Sequence, residues 1–116
     1  MLESGGQYKT VLMHSAATGT GNGTAMECTE ASGGAHKQLT MQVQGISGDT
    51  ITWEATIDGS NWKGLLVTPL STGTAALTAT ADGLYRVDVT GLVQFRARIS
   101  TYGAGTITVT GVLTAV

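Results

Sequence analysis

The sequence predicts an all-β protein: an antiparallel β-sandwich, jelly-roll or immunoglobulin-like, with about eight strands and a Gly-rich, flexible N-terminal segment. Three observations carry this. The 116 residues include 20 threonines and 17 glycines but only 12% charged residues. Thr suits pleated strands, and both Thr and Gly are weak helix formers. Apolar residues recur at every second position, and turn-forming clusters interrupt them every 8–12 residues or so. A chain of this length holds one core. Residues 1–37 read as an N-terminal arm with one or two weak strands, and residues 38–116 as the sandwich core of a single domain.

The elements follow in order. Residues 1–7 read as a flexible leader. Tyr8–Met13 is a short apolar run, a strand or a docking arm. Residues 16–23 are too Gly-rich for regular structure. Residues 24–29 are a weak strand, and residues 32–35 a loop. Leu39, Met41 and Val43 then alternate with Thr40, Gln42 and Gln44, the pattern of a half-buried strand. After a turn at Ser47-Gly48-Asp49, Ile51, Trp53, Ala55 and Ile57 alternate with Thr52, Glu54 and Thr56. Asp58-Gly59-Ser60-Asn61 is a turn, because Asp and Asn bond their own backbone and Gly takes positive φ. Trp62–Val67 returns as the partner strand, ended by the single Pro69.

Residues 74–80 are compatible with a strand. Beyond the turn at Ala81-Asp82-Gly83, Tyr85, Val87 and Val89 alternate with Arg86 and Asp88. Gly91 bends the chain into Val93, Phe95, Ala97 and Ile99. A hairpin between these two runs sets Val89 opposite Phe95 and Asp88 opposite Arg96, avoiding like charges face to face. Gly103-Ala104-Gly105 leads into Ile107, Val109, Gly111 and Leu113. The predicted core is Leu39, Met41, Val43, Ile51, Trp53, Ile57, Leu65, Val67, Leu77, Tyr85, Val87, Val89, Val93, Phe95, Ile99, Ile107, Val109 and Leu113.

Composition excludes several function classes. Net charge is −2, so nothing favours nucleic acid, which calls for clustered Lys and Arg. No run approaches the roughly 18 apolar residues of a membrane span. The start, Met1-Leu2-Glu3-Ser4, has neither the basic nor the apolar region of a signal peptide, so synthesis is expected in a cytoplasm. A lone Cys28 forms no internal disulfide and reads as a small buried hydrophobe.

No catalytic or metal-binding constellation stands out, so no enzyme, cofactor or metal is expected. His14 and His36 read as surface or loop histidines, away from metal-ligand spacing. A Cys28–His36 dyad has no flanking signature. Glu54 and Asp58 share one strand face at a spacing two carboxylates of a glycosidase could use, but they read as a solvated face and a turn. Residues 58–61 lack the spaced oxygens of a calcium loop. Asn22-Gly23-Thr24 matches a glycosylation sequon without secretory context. Trp53 reads as core, and Trp62 packs beside it or offers a sugar-stacking face. Arg86, Arg96 and Arg98 form a small outward basic strip, enough to meet an acidic protein surface.

The phrases ITWEATIDGSNW (51–62), ADGLYRVDVTGL (81–92), VQFRARIS (93–100) and GTITVTG (105–111) resemble segments of tailed-bacteriophage virion surface proteins, of the capsid decoration or head-fibre type. The resemblance covers roughly residues 39–116 and brings no catalytic residues. It implies a virion structural protein on the capsid surface that binds the major capsid protein and self-associates, with a trimer favoured. Tyr8, Val11, Leu12, Trp62, Arg96 and Arg98 are the candidate partner contacts. The alternative is a carbohydrate-binding module of a phage tail or fibre that grips host glycans through Trp62.

Overall fold

The computed structural model describes residues 7–29 and 37–115. Of the expected leader 1–7, residues 1–6 lie outside the described residues, as do the loop at 32–35 and His36, while Gln7 opens β1. Ten strands and no helix make up the secondary structure described. Six strands are long: β1 Gln7–Ala17, β3 Lys37–Gln44, β4 Thr50–Thr56, β8 Gly83–Asp88, β9 Gln94–Thr101 and β10 Ile107–Ala115. Four are two-residue pairings: β2 Met26–Glu27, β5 Lys63–Gly64, β6 Thr68–Pro69 and β7 Thr78–Ala79.

All pairings are antiparallel, in two sheets. The first runs β1-β10-β3-β8-β6; the second runs β2-β9-β4, with β5 and β7 along the far side of β4. The sandwich expected from the alternation is therefore present. Each long strand buries one parity: β3 buries Leu39, Met41 and Val43, and β9 buries Phe95, Ala97 and Ile99. Trp53 lies fully buried between the sheets, its ring 5.3 Å from Tyr85 and 6.0 Å from Phe95, centroid to centroid. Gly111 is the small residue of β10, because the tips of Met13, Met26 and Leu39 fill the space a side chain would need.

Several expectations are resolved or corrected. Of the two alternatives for Tyr8–Met13, strand or docking arm, the strand holds: the run is part of β1, laddered to β10 from Gln7 to Ala17. Met13, Met26 and Cys28 pack in the same core as Leu39 and Phe95, so the core does not begin at residue 38. The hairpin pairing of 85–89 with 93–99 does not form. β8 pairs with β3 and β6, β9 pairs with β2 and β4, and their apolar faces meet across the core. Asp88 stands opposite Gln38, and Arg96 opposite Glu54, so the charge of Arg96 is met by another strand. Pro69 closes β6 on the edge of the first sheet, where its missing N–H breaks no ladder.

Two predicted core residues are exposed: Ile57 at 70% and Leu77 at 51%. The alternation breaks at the end of β4, where Ala55 and Thr56 are both buried and Thr56 Oγ1 joins the 58–61 turn. Leu65 and Val93 are half-buried. His14, expected at the surface, is buried at 7% exposure. β1 slips register on both sides of His14, which turns Met13 and His14 inward together. Its Nε2 donates to the Ala97 carbonyl of the opposite sheet at 2.5 Å and pins the sheets together.

Candidate functional site

The six predicted contact residues fall in two places. Tyr8 and Leu12 point outward from β1, 61% and 50% exposed, while Val11 turns toward the core. β1 is the edge of the first sheet, and among the described residues no strand pairs with its other side. Trp62, Arg96 and Arg98 come together on the outer face of the second sheet. Arg86, expected beside the other two arginines, lies on the first sheet instead, its Nε donating to Thr40 Oγ1 at 3.2 Å.

The cross-strand register builds the Trp62–Arg96–Arg98 cluster around Glu54. Arg96 Nε donates to Glu54 Oε1 at 2.8 Å, and Arg98 donates through Nε and Nη2 to the two carboxylate oxygens, both at 3.1 Å. Burial works to raise the Glu54 carboxyl, but hydrogen bonds and charge from Arg98 and Arg96 outweigh it and hold it below the usual range. The Arg96 guanidinium also lies over the Trp62 ring, 4.1 Å from its centroid, a cation–π contact. One face of Trp62 is thus taken, which leaves a sugar only the other.

Asp58 does not join Glu54. Its carboxylate accepts from the Asn61 and Ser60 amides, Asn61 Nδ2 and the Thr56 hydroxyl, all at 2.8 Å. Those donors, the Asn61 amide first, hold its carboxyl far below the usual range. Asp49, which is buried, accepts from Ser47 N and Gly103 N and ties the 45–49 turn to the 103–105 turn. These backbone donors hold its carboxyl low as well. Among the described residues, no group of three His, Cys, Asp or Glu side chains could hold a metal ion.

Cys28 is fully buried, and its thiol is pushed up to about 11 by burial first and the Glu27 charge second. The native thiol is therefore expected to resist a thiol reagent at neutral pH. The sign of its effect on stability follows. The folded chain keeps a proton that the unfolded chain releases above pH 9, so stability falls as pH rises from 9 to 11. The loss attributable to this thiol is about 2–3 kcal/mol. Denaturant titrations across that range should show it in the native chain and not in Cys28→Ala.

Sequence reasoning missed a third patch. Leu66, Leu70 and Leu84 are exposed beside β6, at the end of the first sheet opposite β1. Leu66 and Leu70 line one open groove with Thr68 and Arg86, and Leu70 N donates to Leu84 O at 2.9 Å. The outward parity of Leu84 was a usable signal. The other two are brought in by the irregular course of residues 65–79, which has no period to read.

Fold and surface together define a compact antiparallel β-sandwich module, with its described carboxylates turned to structure and most of its exposed large apolar side chains at the sheet edges. The chain belongs to the XepA family, whose model matches residues 7–113. Two solved structures share the fold. SPBc2 prophage-derived protein YomS is 18% identical, with a TM-score of 0.84 and 99% of each chain covered. PBSX exported protein XepA is 14% identical with a TM-score of 0.86; the match covers 99% of this chain and 40% of that one. No curated protein sequence matches the chain. At these identities the two likenesses show a shared fold.

Proposed function

We propose that the chain is a structural component of a phage particle, a capsid decoration module that binds the major capsid protein lattice and stabilises the head. One observation carries this reading. All six described carboxylates, Glu27, Asp49, Glu54, Asp58, Asp82 and Asp88, accept hydrogen bonds from their own fold. Five of the seven exposed large apolar side chains among the described residues, Tyr8, Leu12, Leu66, Leu70 and Leu84, gather instead at opposite edges of one sheet. Such a surface suits protein contact better than acid–base chemistry. Family membership and the prophage origin of YomS add support. Co-sedimentation with the phage's own capsids, before and after shell expansion, tests it. Saturable binding at a fixed ratio to the major capsid protein is expected; no binding to either shell form sinks the head assignment.

The same surface supports self-association. The two patches are unlike, so copies meet head to tail, Tyr8 and Leu12 of one against Leu66, Leu70 and Leu84 of the next. Such contacts close into a ring or run on into a fibre, and the trimer is one closed form. Leu12→Asp and Leu84→Asp should each leave the chain monomeric in sedimentation velocity. Mixed together, they should form one-to-one pairs, because each variant keeps the patch the other lacks. Failure of the mixture to pair counts against head-to-tail contact.

A further inference from the structure

Two asparagines occur in the chain, and the structure treats them differently. Asn61 is held: its amide Nδ2 donates to Asp58 Oδ2 at 2.8 Å, and a bulky Trp62 follows it. Asn22 stands exposed in the connection between β1 and β2, and among the described residues nothing hydrogen-bonds its side chain. Gly23 follows it, with no side chain to shield its amide nitrogen. That amide is not among the bonded ones of the segment: Gly21 N donates to Ile99 O at 3.1 Å, and Thr24 N to Met13 O at 2.8 Å. The two aspartates followed by glycine are restrained. Asp58 is bound by its turn while Gly59 N donates to Thr56 Oγ1 at 3.0 Å, and Asp82 accepts from Gly45 N and Ile46 N.

We infer that Asn22 is a site of spontaneous deamidation, with consequences for the anchoring of β1. The Gly23 amide nitrogen loses its proton to solvent and attacks Asn22 Cγ. A C–N bond forms, the Cγ–Nδ2 bond breaks and ammonia leaves, closing a five-membered succinimide. Water then opens the ring at either carbonyl and gives aspartate or isoaspartate. One water is consumed and one ammonia released, with no oxidant or reductant.

The two products act differently. Aspartate adds a negative charge to an exposed loop and leaves the backbone path unchanged. Isoaspartate lengthens the backbone by a methylene between the anchors at Gly21 and Thr24. Gly23 packs so tightly on the Met13 carbonyl and the His14 ring that even a methyl would collide with both. The lengthened chain must therefore release one anchor and uncover His14.

The test is peptide mapping by mass spectrometry of the folded chain, aged at mildly alkaline pH, with separation of the aspartate and isoaspartate forms. Asn22 should convert roughly tenfold or more faster than Asn61, the factor one net hydrogen bond supplies. It should convert at a rate near that of the same site in the denatured chain. The purified isoaspartate form should melt below the native chain, while Asn22→Asp melts with it. Equal conversion at the two asparagines, or an Asn22 inert in the folded chain but reactive in the denatured one, overturns the proposal. So does an isoaspartate form as stable as Asn22→Asp.

Discussion

Trp53→Ala is expected to cost roughly 3–5 kcal/mol, the range for emptying a large aromatic site in a packed core. The side chain is fully buried in the middle of β4 and touches Tyr85 of the first sheet and Phe95 of its own. Its removal leaves a void that both sheets border, and paired strands cannot collapse into it without breaking register. Against a total stability of 5–15 kcal/mol or so, such a loss leaves the variant marginal or unfolded at 37 °C. Trp53→Phe separates packing from polarity. The indole Nε1 is buried without a hydrogen-bond partner, and an unpaired buried donor costs about 1–3 kcal/mol. Phenylalanine removes that donor while keeping most of the apolar contact, so it should recover the larger part of the loss. Denaturant midpoints for the two variants decide it. A Trp53→Ala loss near 1 kcal/mol would mean that this residue does not organise the core.

How far the fold was legible depended on strand length. Over Lys37–Gln44, residues 50–55 and Ile107–Ala115, strict alternation gave both the strand and its buried face, because every second residue meets the opposite sheet. Pairing was less legible. Alternation is silent on neighbours, and the 85–89 run matched 93–99 in charge as well as a hairpin requires. The actual partner of Arg96 is Glu54, forty-two positions away, and no local rule reaches that far. His14 was misread because a bulge is invisible to periodicity. The candidate contacts divide in the same way. Tyr8, Val11 and Leu12 were named together from one apolar run, and the parity of β1 turns only Tyr8 and Leu12 outward, whereas Leu66 and Leu70 owe their meeting with Leu84 to a loop. The Arg96–Trp62 contact required the 58–61 turn to fold Trp62 back across β4, and the turn itself was plainly written in Asp58 to Asn61.

Gly45→Ala is expected to cost about 3 kcal/mol or more, where Gly73→Ala costs about 1, although the two backbones are nearly alike. Gly45 has φ +89 and Gly73 has φ +76, so both sit in the left-handed region that disfavours a side chain. The surroundings differ. A Cβ on Gly73 meets nothing within 4 Å, so only the conformational strain applies. A Cβ on Gly45 runs into the carbonyl carbon and oxygen of Thr106, which are backbone atoms at the entry to β10. They cannot rotate aside as a side chain would. The Gly45 amide is also fixed, donating to Asp82 Oδ2 at 3.2 Å while Ile46 N donates to Oδ1 at 2.8 Å. Relief must come from parting the 45–49 turn from the 103–106 turn, and buried Asp49 holds those two together. The clash therefore spreads into the hydrogen bonds of Asp49 and Asp82. Urea midpoints of the two alanine variants measure the difference directly. Equal losses would mean that backbone strain alone makes Gly45 a glycine, and that the two turns can separate at little cost to the sandwich.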